Sequence, residues 1–358
     1  MRVLVVSNMY PSPQKPYAGI FVRNQVERLR ALGEGAVTVE VFAMPRTFTG
    51  IVGSLAKYAA AVVRFLPLLF RRYDVVHVHY FFPLYYPAWL YAVLHPGTRL
   101  FVTFHGSDVT RKLAAGPVRW LSRRVIRRAD GLIAVGKDLA EGVHAALDRR
   151  PDRVLSAGVD RRVFYREPVA PKRYDFIFVG SFIERKGIDL LAGVLEAGRG
   201  GRFCFVGSGP WKERLARAAG GGRARVDILE NLSQAEIRGL LNASRFFLFP
   251  SRDEPFGLVA TEALYCGTPA VVTRVGGLAE QVRDGENGFF IAAPEVRAVI
   301  DAMDRAEALG EAEYARMSDA AEGSNGQFAL DAVCETLLAL YRGHEATREG
   351  RDGWKREG

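Results

Sequence analysis

Cysteine is scarce in this chain of 358 residues: Cys204, Cys266 and Cys334 stand far apart, with no CxxC pair. An odd, dispersed set excludes a disulfide framework and a structural zinc site, and makes a reducing cytoplasm the default compartment. Long apolar runs are lacking too. The apolar run at the N-terminus, Met1 to Ser7, is too short for a signal peptide and reads as a first buried strand. Val75 to Thr98 holds no Asp, Glu, Lys or Arg, yet His77, His79, His95, Pro83, Pro87 and Pro96 interrupt it. A spanning helix needs ~18 or more unbroken apolar residues, so the stretch reads as strand, loop and short buried helix. No short-period repeat is visible. Acids are in deficit, 40 Asp plus Glu against 49 Lys plus Arg, for a net charge of +9. That balance points to anionic partners, whether phosphorylated small molecules, a membrane surface or nucleic acid, without choosing among them.

What the sequence does have is the composition of an ordinary globular protein, 49% apolar and 25% charged, at a length that suggests two domains. Short apolar runs alternate with longer amphipathic ones, the pattern of parallel strands joined by crossover helices. The first half predicts strands at 3–7, 38–42, 75–79, 100–104 and 131–135, with helices near 21–32, 54–70, 89–94, 117–128 and 137–147. A polar, proline-bearing stretch at 164–174 reads as a linker. The alternation then restarts with strands at 176–179, 202–206, 224–228, 246–249 and 270–272. The expected organisation is therefore an α/β protein of two Rossmann-like domains, 1–166 and 167–342, with a charged tail at 343–358. Open parallel sheets bind ligands outside the carboxyl ends of their strands, so the default site is a cleft between the two domains, lined by strand-to-helix turns.

The most informative turn runs from Phe249 to Pro269 and carries Pro250-Ser251, Glu254, Phe256-Gly257-Leu258, Glu262 and Cys266-Gly267-Thr268-Pro269. A strand ends at Pro250 and a helix is expected from Phe256, with Glu262 two turns inside it. At ~1.5 Å per residue the two glutamates stand ~12 Å apart, too far for a retaining carboxylate pair. They can instead grip two parts of one long ligand, while the free amides of Phe256, Gly257 and Leu258 serve anionic or hydroxyl-rich groups. The bland alternative is that Glu254 caps the helix and Glu262 is a satisfied interior acid.

This segment resembles the family 4 retaining glycosyltransferases of group 1, whose signature is two glutamates separated by seven residues with a Pro-Ser turn before them and a Cys-Gly-Thr-Pro tail. The resemblance implies a GT-B fold, with Glu254 and the following amides on hydroxyls of a donor sugar and Glu262 on the ribose hydroxyls of its nucleotide. Further segments match in order. Phe178 to Gly187 is a strand and glycine loop with Arg185 and Lys186 suited to a diphosphate. The arginine that follows the first glycine in many members is Ser181 here; Lys186 matches the family lysine, and Arg185 stands as the candidate replacement cation. Val102 to Asp108 resembles the family's His-Gly segment, implying that His105 donates to the transferred sugar or the departing phosphate. Tyr17 to Asn24 is similar to its glycine loop, where the backbone at Gly19 approaches the diphosphate or the acceptor. Gly158-Val159-Asp160, Val275-Gly276-Gly277 and Asp284 to Gly288 match architectural turns. Gly207-Ser208-Gly209, with Asp227 twenty residues beyond Gly207, suggests a dinucleotide site, but Lys212 replaces the third glycine. The family's tight turn is the better reading, with Glu230 to Ser233 edging the nucleotide base. His77 and His79 share one strand face without adjoining acid or thiol ligands, so they read as strand or cleft-lining residues rather than a metal site.

Arg111, Lys112, Arg119, Arg123, Arg124, Arg127 and Arg128 form a run of seven cations with no acid among them, and Lys57, Arg64, Arg71 and Arg72 flank an apolar stretch around Val62. They suggest an amphipathic face for anionic lipid; a solvated face is the alternative. The expectation is a metal-independent, cofactor-free retaining glycosyltransferase with a nucleotide-sugar donor and a glycan or lipid-linked acceptor. It would be cytoplasmic and peripheral on the inner membrane face, with no nucleic-acid partner. His105, Arg185, Lys186 and Glu254 are its candidate catalytic residues, and Gly19, Arg185, Lys186, Phe256, Gly257, Leu258 and Glu262 its donor-binding ones. A nucleotide-sugar epimerase of GT-B architecture and a non-catalytic nucleotide-sugar-binding partner protein are the rivals, with a nicotinamide oxidoreductase behind them.

Overall fold

The computed structural model describes residues 1–12, 17–44, 50–106, 116–168 and 171–343, with 50–56 as backbone only. Ser107, Asp108, Arg111, Lys112 and the tail from 344 onward lie outside the described residues. The chain divides into two compact units, Met1–Gly158 with Leu330–Gly358, and Val159–Ala329. Each is described separately.

The first unit is a parallel sheet of β1 (Arg2–Ser7), β2 (Thr38–Ala43), β3 (Val75–His79), β4 (Arg99–Phe104), β5 (Gly131–Ala134) and β6 (Arg153–Val154) in the order β2-β1-β3-β4-β5-β6. The helices between them are α1 (Ile20–Leu32), α2 (Gly50–Phe65) extended by a 3-10 turn (Leu66–Phe70), α3 (Tyr85–Leu94), α4 (Gly116–Val125) and α5 (Lys137–Leu147). The central strands are continuous apolar runs because helices cover both faces. On one face Val22, Val26 and Leu29 of α1 pack with Val3, Val5 and Val75.

The C-terminal helix Leu330–Arg342 joins that same cluster through Leu330, Val333, Cys334, Leu337 and Tyr341, and Asp331 clamps Arg28 with two 2.7 Å bonds. The sequence pattern predicts 330–342 in the second domain and a boundary at 166. In the structure the chain changes unit at Gly158 and returns at Leu330. The reason is burial: Phe164, read as the start of a linker, is 1% exposed and packs in the second unit's core, while the apolar stripe of the final helix finds its partners on α1.

The second unit has β7 (Tyr174–Val179), β8 (Gly201–Val206), β9 (Ala224–Leu229), β10 (Ser244–Phe249), β11 (Ala270–Thr273) and β12 (Gly288–Ile291), all parallel, in the order β12-β11-β10-β7-β8-β9. Its helices are α6 (Ile188–Glu196), α7 (Lys212–Gly220), α8 (Gln234–Asn242), α9 (Leu258–Tyr265), α10 (Leu278–Gln281), α11 (Val296–Glu307) and α12 (Glu311–Gly323). Phenylalanines at 176, 178, 203, 205, 246, 247 and 249 fill the sheet interior. From β7 the chain proceeds to β8 and β9 on one side, and from β10 to β11 and β12 on the other, so the order reverses between β7 and β10 and their ends are the place where ligand-binding loops meet.

Candidate functional site

Because β7 and β10 are hydrogen-bonded neighbours, the turns that follow them start side by side. The 184–186 turn after β7 is fixed by Gly187, whose φ is +75° and whose Cβ, if present, would lie 2.1 Å from the Pro250 carbonyl oxygen. Only glycine allows that approach. The turn after β10 is stitched to it. Ser251 Oγ donates to the carbonyls of Arg185 and Asp253 at 3.0 Å each, and the Arg252 amide donates to Arg185 O at 2.9 Å. The Arg252 guanidinium spans to Asp189 with two bonds of 2.7 Å.

On this frame Lys186 Nζ forms an ion pair with Glu254 Oε2 and sits 5.5 Å from the centre of the Phe249 ring. Glu254 is 9% exposed, so the pair is largely removed from water and each partner needs the other. Its backbone is held equally closely: the Gly277 amide donates to Glu254 O at 3.1 Å, and a Cβ on Gly276 would come within 2.0 Å of that oxygen. Arg185 instead points outward, 3.5 Å from the Asp253 carboxylate, and Ser181 is exposed.

Gly257, at φ +87°, caps α9, which begins at Leu258. The expected helix start at Phe256 is corrected by this left-handed residue, and Glu262 is one turn inside the helix rather than two. The spacing estimate built on a continuous helix from Glu254 therefore does not apply. Among the described residues the amides of Phe256, Gly257 and Leu258 find no acceptor. Glu262 is half-buried, its carboxylate has no hydrogen-bond or ion-pair partner among the described residues, and burial pushes its pKa up to about 7. It is not a satisfied interior acid. Glu254 is not a helix cap either, since the cap residue Gly257 has no side chain and Glu254 is engaged by Lys186.

The second glycine turn is architectural. A Cβ at Gly207 would fall 1.9 Å from Gly180 O and one at Gly209 2.5 Å from Phe182 O, so the two glycine loops interlock. Asp227 is exposed, and its carboxylate already accepts from the Tyr174 hydroxyl, which argues against a role as a dinucleotide ribose acid. Glu230 pairs with Lys212, and Ser233 caps α8 in a capping box with Glu236.

The first unit brings together its own two candidates. Gly19, at φ +74°, opens α1, where a Cβ would lie 2.4 Å from Met9 O; two residues on, the Phe21 ring centre is 5.0 Å from that of His105. His105 follows β4 and stands against Tyr80 (centroids 4.5 Å), with Nε2 3.2 Å from His79 Nδ1. Burial first, and then the neighbouring His79, holds the His105 pKa well below the usual histidine value, so the ring is neutral. Burial takes His79 down to about 3. His77 is confined by Thr103 Oγ1 at 2.8 Å and by the Tyr341 hydroxyl. These contacts put His77 and His79 inside the unit. Among the described residues no group of three or more His, Cys, Asp or Glu side chains is arranged to hold a metal.

Sequence reasoning missed the Lys186–Glu254 pair, the Arg252–Asp189 clamp and the aromatic setting of His105. None has a local signal, because each joins residues far apart in the chain.

Two family descriptions match: Glycosyltransferase Family 4 over residues 3–163 and Glycosyl transferases group 1 over residues 161–323. An uncharacterized glycosyltransferase of Methanocaldococcus jannaschii is 26% identical over 307 residues, 80% of this chain and 84% of that one. The D-inositol 3-phosphate glycosyltransferase of Mycobacterium marinum is 31% identical over 299 residues, 75% of this chain. This chain spans 63% of the length of that relative. Among solved structures, a glycosyltransferase from Rickettsia africae superposes with a TM-score of 0.76 at 16% identity, covering 97% of this chain and 99% of that one. HepE of Anabaena in complex with UDP and glucose does so with 0.74 at 18% identity, covering 96% and 100%. The shared fold is GT-B.

Proposed function

Since the chain belongs to the group 1, family 4 glycosyltransferases, we propose that it moves a sugar from a nucleotide-sugar donor to an acceptor hydroxyl with retention of anomeric configuration. We further place it in cell-surface polysaccharide or glycolipid assembly, on a lipid-linked acceptor at the cytoplasmic face of a membrane. The observation that carries the donor reading is the contrast between the two glutamates: Glu254 is locked to Lys186, whereas Glu262, one turn into the adjacent helix, is half-buried with no hydrogen-bond or ion-pair partner among the described residues. A carboxylate partly removed from water without a donor is costly unless a ligand supplies one, and ribose hydroxyls are such donors. The UDP bound to the Anabaena neighbour is consistent with a nucleotide in this role.

In this reading Lys186 neutralises the distal phosphate, Arg185 adds charge from the exposed side where Ser181 supplies none, and Glu254 accepts from hydroxyls of the sugar. The amides of Phe256, Gly257 and Leu258 donate to the same sugar. The neutral His105 of the first unit donates to the transferred sugar or the departing phosphate, and the backbone at Gly19, seated against Met9 O, approaches the diphosphate or the acceptor. The anomeric carbon–phosphate oxygen bond breaks while the acceptor oxygen bonds on the same face, and the acceptor proton passes to the leaving diphosphate. Orientation and charge stabilisation do the chemistry, and no carboxylate nucleophile or metal is called on. Incubation with a panel of nucleotide sugars, followed by mass spectrometry of products and the anomeric proton coupling in NMR, tests both parts. Release of a nucleoside diphosphate only as acceptor is glycosylated supports transfer; an altered sugar without acceptor supports the epimerase; inversion removes the retaining mechanism.

A further inference from the structure

One face of the first unit combines exposed apolar side chains with unpaired arginines. α2 and its 3-10 turn, α3 and α4 follow β2, β3 and β4, and right-handed crossovers put all three on the same side of the sheet. They are tied edge to edge: the Tyr91 hydroxyl donates to Arg71 O at 2.9 Å, and the Tyr86 hydroxyl lies 3.0 Å from Ser122 Oγ. From their outer surface project Val63, Phe70, Leu94 and Trp120, with Phe70 90% and Trp120 66% exposed. Isolated exposed apolar residues are ordinary, but large ones gathered on neighbouring helices mark a contact surface.

The charge around them is one-sided. Among the described residues from 57 to 129 there are ten Lys and Arg against one acid, Asp74. Several of the arginines are occupied: Arg71 pairs with Glu40, Arg128 with Asp130, and Arg123 donates to the carbonyls of Ala145 and Ala146. Arg64, Arg72, Arg119, Arg124 and Arg127 have no ion-pair or hydrogen-bond partner among the described residues. A second copy of this chain would bring these like charges against each other, which disfavours self-association through this face. An array of guanidinium groups interspersed with aromatic and aliphatic tips suits a surface that is anionic outside and apolar just beneath.

We propose that this face rests on an anionic lipid bilayer, with Phe70 and Trp120 as the side chains that enter the acyl boundary and Arg119, Arg124 and Arg127 as the phosphate contacts. The proposal deepens the lipid-linked acceptor reading and rests on it for its purpose, but its test uses no catalysis. Full-length protein is sedimented with phosphatidylcholine vesicles, with and without phosphatidylglycerol, and Trp fluorescence is followed with acyl-brominated lipid. Binding should require phosphatidylglycerol, weaken with salt, and fall about fivefold for each arginine among Arg119→Gln, Arg124→Gln and Arg127→Gln. Phe70→Ser should weaken it too, and Trp120→Phe should keep binding while losing most of the bromine quenching, since the half-buried Trp89 of α3 remains. Affinity for a nucleoside diphosphate should be unchanged in every variant, which shows that the fold is intact. Binding indifferent to lipid charge, an unaffected arginine triple variant, or quenching undiminished by Trp120→Phe would overturn the surface. So would a concentration-dependent dimer abolished by Phe70→Ser, which would give the face to a second copy. Transfer without vesicle binding removes the surface and leaves the transferase; vesicle binding without transfer does the reverse.

Discussion

Replacing Glu262 by Gln should make the free protein more stable and its nucleotide binding weaker, a pair of opposite signs that an interior structural acid would not give. Burial raises the carboxyl from its ordinary 4.5 to about 7 in the folded chain. The folded state therefore binds more protons than the unfolded state between those values, and stability falls as pH rises through that window. A shift of this size corresponds to roughly 3 kcal/mol for holding the charge in place at alkaline pH, taking ~1.4 kcal/mol per unit. Gln keeps the shape without the charge. Its unfolding midpoint should match the wild type near pH 4 and exceed it at pH 8, by at most that amount. The ribose hydroxyls, conversely, bond to the ionised form, and losing a charge-assisted hydrogen bond costs ~1.5 to 3 kcal/mol, or about 10- to 150-fold in affinity. Denaturation at several pH values and calorimetric titration with a nucleoside diphosphate read both quantities. Calorimetry in buffers of different ionisation enthalpy should also show wild type releasing a proton on binding near pH 7, and the variant none. Parallel stability curves for the two proteins, or equal nucleotide affinities, would refute the assignment.

Lys186→Ala leaves Glu254 buried without its cation and should cost on the order of 3 kcal/mol, much of it recovered in the double variant with Glu254→Ala; thermal unfolding of the four proteins reads the cycle. In the same variant turnover should fall further than monophosphate affinity, since the proposed partner is the distal phosphate whose charge grows as the bond breaks; equal losses for monophosphate and diphosphate would remove that role. Gly276→Ala has no room, with φ at +48° and a Cβ 2.0 Å from Glu254 O, so it should reduce kcat and destabilise by roughly 1 to 3 kcal/mol; full activity would show that the loop around Glu254 can shift freely. Asp227→Asn should cost about 1 kcal/mol through the Tyr174 bond and leave nucleotide affinity untouched; a loss of affinity would reopen the dinucleotide reading.

Much of the second unit's site was legible because its parts are local. The Pro-Ser turn, the glycine before α9 and the two glutamates sit within one strand-to-helix connection, and each residue type is dictated by its own backbone. What could not be read was the pairing of β7 with β10. Strand order is set by how the sheet buries its phenylalanines, not by any signal near residue 186 or 254. Only that pairing brings Lys186 against Glu254 and Arg252 against Asp189. The assignment of Arg185 as a replacement cation meets the same limit: its charge is visible in the sequence, but its competition with Asp253 is not.

The error in placing 330–342 has a different origin. Its apolar stripe at 330, 333, 334, 337, 338 and 341 was plain at helical spacing, but a stripe says that a face will be buried and not against what. Two features of α1 decide the partner. Its stripe Val22, Val26 and Leu29 leaves room on the sheet for a second helix, and Arg28 presents a fork that Asp331 fills bidentately. Tyr341 then reaches His77, closing on one side the buried histidine pair whose other member, His79, meets His105. The final helix, distant in sequence from every motif, is thus packed two side chains away from a candidate catalytic residue. Shortening it before Tyr341 should therefore open the space beside His77 and disturb His105 before it unfolds the sheet. A change in the imidazole NMR signals of His105 in a folded chain ending at Leu340 would show that coupling, and unchanged signals would show that the helix serves only to cover the sheet.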